Sequence, residues 1–268
     1  MPVYFETNGA LNMKHAFSLV ELSIVLVILG LITGGILTGQ NLIRAAELRS
    51  IATDFNSYQT ATKAFQDKYY ALPGDLPNAT DYWGEAGTCP GDVSTPSVDK
   101  ATCNGDGNGF IQNQEIVTGN TSDEIFRFWQ HLVNAGLLEG NYAGVRAHAT
   151  NQYSQIGWNV PAGKIRASGW SVHYWADTVP KNYPGTNGQF MVLGAESGTS
   201  VTSVPILYAE EMWNIDKKID DGLPAYRIVF SRDSTSRPDC VTSTTASDAT
   251  YKLDSDEISC SVYFKFRN

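Results

Sequence analysis

The chain is poor in charge, with 18% of its 268 residues charged, and acids outnumber bases to leave a net charge of −9. It has no run of Lys or Arg, so the basic face a nucleic-acid-binding protein needs is missing, and no nucleic-acid partner is expected. The acidic balance suits a surface exposed to water or a cation-binding site. None of the 4 cysteines stands in a CxxC or a His-rich context, which argues against zinc. His131, His148 and His173 are scattered without an HExxH pattern. No GxSxG, phosphate-binding loop or GxGxxG after a strand occurs, so the chain is not expected to be an enzyme. Nothing points to disorder either: 42% of residues are hydrophobic and 11% aromatic. The length allows one sizeable domain and an extra element.

Two further absences fall near the N-terminus. No proline occurs between Pro2 and Pro73, and no charged side chain occurs across residues 22–43. As a helix, that uncharged stretch spans ~30 Å, about the thickness of a bilayer core. It lacks the shorter apolar core and small-residue exit of a secretory signal peptide. The pattern then changes. Ala45, Leu48, Ile51, Ala52, Phe55, Tyr58, Ala61, Phe65 and Tyr69 recur at three- and four-residue steps, with charged residues mostly between them. One helix from about Phe17 to Tyr70 is expected, with a membrane half and an amphipathic half packed on a domain. Leu72-Pro73-Gly74-Asp75 ends it. Glu21 stands at the mouth of the apolar stretch, where a carboxylate is costly without a partner. Cleavage before Phe17 would create an α-amino group able to serve as that partner. The alternative is a helix-start acid in the headgroup layer.

Lys14-His15-Ala16-Phe17-Ser18-Leu19-Val20-Glu21-Leu22, with the apolar run behind it, resembles the prepilin cleavage and methylation motif of type IV pilins and type II secretion pseudopilins. Tyr69-Tyr70-Ala71-Leu72-Pro73-Gly74-Asp75-Leu76-Pro77 and the stretch from Trp213 to Gly222 are similar to segments of large pilin-like proteins. The resemblance implies that a prepilin peptidase cuts between Ala16 and Phe17 and methylates the new amine. It also implies that Glu21 pairs with a neighbouring subunit's N-terminus during assembly. The implied partners are other copies, related pilin subunits, the inner-membrane assembly machinery and, before assembly, membrane lipid. The implied product is a periplasmic or cell-surface filament. Ala16 departs from the family's usual Gly, which would slow cleavage. Thr38 stands where many major pilins carry Pro, and Gly34, Gly35 and Gly39 are left to weaken the helix there. The organisation expected is a leader at 1–16, or one starting at Met13, then a membrane and filament-core helix at 17–43. Its amphipathic continuation covers 44–72, and a head with its C-terminal domain outside the cytoplasm covers 73–268. The rival reading is a membrane-anchored surface domain that binds calcium or carbohydrate and does not polymerise.

Within the head, residues 74–121 show little periodicity and read as a long loop region. A helix is expected from Thr121-Ser122-Asp123-Glu124, with Ile125, Phe126, Trp129, Leu132 and Leu137 as its buried stripe. Strand-like runs cover 169–178, 189–194, 226–231 and 259–266, and a short helix covers 209–221. The class is α+β: a long N-terminal helix packed on an antiparallel sheet, with a disulfide-pinned loop region. Cys89 with Cys103 and Cys240 with Cys260 are the simplest of the three connectivities, and imply an oxidising compartment. Two cytosolic thiol pairs are the alternative. Asn104, Asp106, Asn108, Gly109, Ile111 and Glu115 match a calcium-binding EF-hand loop in their positions. In that reading Phe110 gives its carbonyl, Gln112 faces the ion, and Ca²⁺ binds at ~10⁻⁴–10⁻³ M because Asn104 replaces Asp. A plain Gly/Asn turn is the alternative.

Overall fold

The chain forms helix α1 over Leu19–Tyr69, 51 residues without a proline. In its apolar half the hydroxyls fold back on the helix itself. Thr33 Oγ1 donates to the Leu29 carbonyl at 2.8 Å, Thr38 Oγ1 to Gly34 at 3.0 Å and Ser23 Oγ to Val20 at 2.9 Å. These three hydroxyls therefore need no partner from outside. The helix ends where Tyr70 takes a left-handed φ of 57° and Pro73 follows. The computed structural model describes residues 18–87, 89, 99–112, 124–146, 153–175, 188–225, 227–232 and 239–266. Two compact units divide between Ala46 and Glu47.

In the first unit the helix is long and apolar enough to cross a membrane, and its most apolar window has 0% of its residues buried. The second unit has the α+β core. Ile51, Phe55, Tyr58, Thr62 and Phe65, at helical spacing, form the buried face of α1. Phe55 stacks on Phe264 with centroids 4.2 Å apart, and Tyr58 meets Trp129 and Trp170 edge-on. Helix α2 spans Ala79–Trp83, α3 Glu124–Asn134 and α4 Ala209–Ile219. Trp129 and Phe128 of α3 are fully buried.

Strands β1 (Gly169–Trp175), β2 (Gly188–Gly194), β4 (Val229–Phe230) and β6 (Val262–Lys265) form an antiparallel sheet in the order β1-β2-β6-β4. A two-stranded sheet pairs β3 (Leu207–Tyr208) with β5 (Ile258–Cys260). Alternation divides the larger sheet's residues between two clusters. Trp170, Val172, Met191, Leu193, Val229, Val262 and Phe264 join the main core with α1 and α3. Trp175, Phe190, Val192, Phe230 and Tyr263 form a second cluster, with the Arg232 guanidinium 5.5 Å from the Trp175 centroid. Disulfides join Cys89 to Cys103 and Cys240 to Cys260.

The expected helix over 121–140 is shorter, with Leu137 beyond its end in a turn that uses Gly136 at φ 74°. The 259–266 run is split at Ser261 into β5 and β6, which pair in different sheets. The 74–121 stretch contains α2, too short for periodicity to reveal.

Candidate metal centre

The segment leaving α1, Leu72-Pro73-Gly74-Asp75-Leu76-Pro77, is held between the start of α3 and the loop at 104–110. Gly74 sits at φ 88°, and its N–H donates to His131 Nδ1 at 2.9 Å. A Cβ at Gly74 would overlap the Glu124 carbonyl, and one at Gly105 would overlap the Asp75 backbone. Gly105 N–H donates to the Leu76 carbonyl at 2.9 Å. Glycine is required at both positions by close approach, and the result is to bring Asp75 beside the loop and α3.

Three carboxylates meet there: one oxygen each from Asp75, Asp106 and Glu124 lies within 4.8 Å of the other two. Asp75 accepts from Asn108 N–H at 3.1 Å and Gly109 N–H at 2.9 Å. Glu124 accepts from Asp106 N–H at 3.0 Å and Gln112 N–H at 3.1 Å. Asp106 accepts from the backbone and side-chain amides of Asn108, at 3.0 and 2.7 Å. Asp75 and Glu124 are buried and Asp106 is exposed.

Burial pushes the Glu124 carboxyl up to about 8, against the lowering effect of the two backbone donors. Burial likewise pushes Asp75 up to about 6, and the Asp106 charge adds to the rise. His131 is buried and driven down to about 3, so it stays neutral as a link between Gly74 and Thr102. Three carboxylates so close together are a donor set that suits a hard divalent cation.

The loop's own expected ligands make the following contacts. Asn104 Oδ1 accepts from Thr80 N–H in the first turn of α2, at 2.9 Å. Asn108 Oδ1 accepts from Phe110 N–H at 2.8 Å. The Phe110 ring lies 4.2 Å from that of Tyr174, and Gln112 gives its N–H to Glu124. Of the predicted set only Asp106 belongs to the carboxylate cluster; Glu115 lies outside the described residues, as do Ala16, Phe17 and His148. Asp75 and Glu124 were not predicted as ligands. Their signals were an acid in the segment that stops α1 and an acid opening α3 beside a buried stripe.

Asp216, Asp220 and Asp221 form a second carboxylate group at the end of α4. Asp216 accepts from Tyr251 Oη at 2.6 Å and Gly222 N–H at 3.1 Å, and burial pushes it up to about 7. Arg227 lies 3.2 Å from Asp221 and 3.9 Å from Asp220. Internal donors and a guanidinium already satisfy this group, which ties α4 to β4. At the helix start, Glu21 accepts from Ser18 N–H at 2.8 Å while Ser18 Oγ accepts from Val20 N–H at 3.2 Å. That is a reciprocal N-terminal cap. No protein-family model, characterised protein or solved structure matches this chain.

Proposed function

We propose that this chain is the subunit of a type IV pilus-like or pseudopilus filament, processed by a prepilin peptidase and assembled through α1. The observation that carries the reading is the division of labour along one proline-free helix. Its N-terminal part is apolar and unburied, while Ile51, Phe55, Tyr58 and Phe65 further along belong to the head's core. An apolar helix of that length is stable in a bilayer or against other apolar helices, and in water it is not. Assembly moves it from the first setting to the second. Packing of small and apolar side chains between helices supplies the association energy, and pairing of Glu21 with the Phe17 amine of a neighbour sets the axial position. Other copies, related subunits, the peptidase and the inner-membrane machinery are the partners this route requires.

In the same reading Asp75, Asp106 and Glu124 would hold Ca²⁺, which would supply the positive charge that protons otherwise give the buried carboxylates. The cation would fix the 104–112 loop against the end of α1. Mass spectrometry of the membrane-extracted protein tests the processing step: the first residue is expected to be a methylated Phe17, and recovery only of chains starting at Met1 or Met13 would defeat the filament reading. A non-polymerising membrane-anchored domain is the second reading. The cap that Glu21 forms with Ser18 favours it, because it gives the acid a role inside its own helix.

A further inference from the structure

A cleft of about 730 Å³ opens between the last turns of α1, the loop around Gly107 to Phe110, and the ends of β1, β2 and β6. Its volume falls in the range of small-molecule sites, ~300–1,000 Å³. Two of the side chains facing it, Lys63 and Lys265, have no ion-pair or side-chain hydrogen-bond partner among the described residues. Asp75 also lines the cleft, with its carboxylate taken up by the Asn108 and Gly109 N–H groups, so in a protein of net charge −9 the two ammonium groups mark the cleft for an anion.

The remaining lining narrows the class. The Phe110 ring is 41% exposed and backed by Tyr174, with centroids 4.2 Å apart. The loop that carries it is fastened to the sheet: Tyr174 N–H donates to the Ile111 carbonyl, and Gln189 Oε1 accepts from Ile111 N–H, both at 2.9 Å. The aromatic surface is therefore held in place before any ligand arrives. Gln59 and Gln66 add amides from α1, and the buried Gln59 Nε2 has no hydrogen-bond partner among the described residues. A peptide adding itself as a strand would need free backbone groups at this edge. The N–H groups of Tyr174 and Phe266 are already bonded, to the carbonyls of Ile111 and Gln189.

We propose that this cleft binds an acidic saccharide. A sugar ring would stack on Phe110, its carboxylates would pair with Lys63 and Lys265, and its hydroxyls would bond the glutamine amides.

The test is calorimetric titration of the full chain in non-ionic detergent with trigalacturonate, the neutral trisaccharide galactotriose and triglutamate. Trigalacturonate is expected to bind saturably, more weakly as salt rises, and the other two at least about tenfold more weakly. Lys63→Gln and Lys265→Gln should each weaken binding by about tenfold, the loss of one charge-assisted bond, with unchanged melting. Phe110→Ala should weaken it comparably. Absence of saturable binding, or binding unaltered in the double lysine variant, would overturn the proposal. Equal affinity for triglutamate would overturn the saccharide assignment in favour of an acidic peptide.

Discussion

Glu124 opens α3 with its carboxylate fully buried, and burial alone would leave it a strong proton acceptor. Its carboxyl ionises near 8 folded against 4.5 in a free side chain, so the folded state holds more protons across that interval. Stability contributed by the protonated form is complete below 4.5 and is lost as pH rises through about 8. Asp75 and Asp216 act in the same direction up to about 6 and about 7. His131 and His173 oppose them below 6.5, because burial lowers both. Above 6.5 the carboxyls act alone among the described residues. Without divalent cations the melting temperature is expected to fall between about pH 6.5 and 8.5, and Glu124→Gln should flatten that fall. Calcium at about millimolar concentration should remove most of the fall in the wild type, since a bound cation stabilises the ionised forms. Calcium binding should therefore release protons and tighten from pH 6 to 8. Melting curves that coincide with calcium and with chelator at the upper pH would rule out a metal centre here.

At the scale of elements, α1 has two surroundings, and truncations along it should separate them. Phe55→Ala removes a ring stacked on Phe264 in a core with no exposed face, an expected loss of ~3–5 kcal/mol in denaturant unfolding of the head. Ile28→Ala, on a side chain 49% exposed, should leave that unfolding unchanged. Equal losses would mean that the apolar part also belongs to the head's core. Replacing Cys240 and Cys260 together by Ser should cost ~3 kcal/mol, because the bridge closes a loop of 20 residues and anchors β5. Much of this level was legible in the chain: Pro73 and the three- and four-residue steps mark the long helix, apolar runs mark β1 and β2, and Gly222 with Pro224 marks the end of α4. The misses have a common cause. Strand β3 is two residues long and α2 is five, so no period can show itself; the run over 226–231 did mark β4. The acidic centre was only half legible, because local spacing reports a ligand loop. Asp75 and Glu124 reach Asp106 through close packing at Gly74 and Gly105, which spacing does not encode.

For the whole molecule, the question is whether Glu21 works within its own helix or between subunits. The two roles require different chemistry from the same side chain. A cap needs an oxygen that accepts from Ser18 N–H, whatever its charge. Pairing with the Phe17 amine of a neighbour in apolar surroundings needs the negative charge, since a neutral group would leave the ammonium uncompensated. Glu21→Gln keeps the acceptor and discards the charge, and Glu21→Ala discards both. Loss of the cap costs ~0.5–2 kcal/mol at one helix end and leaves the apolar span of residues 22–43 intact. Both variants are therefore expected to enter the membrane normally, as read by carbonate extraction. As sole subunit, both should give few or no surface filaments under electron microscopy, with the Gln variant as deficient as the Ala variant. Filaments of normal number with Gln but not with Ala would assign Glu21 to the cap. Normal filaments with both would remove the acid from assembly altogether, leaving helix packing alone to set the position of each subunit along the axis.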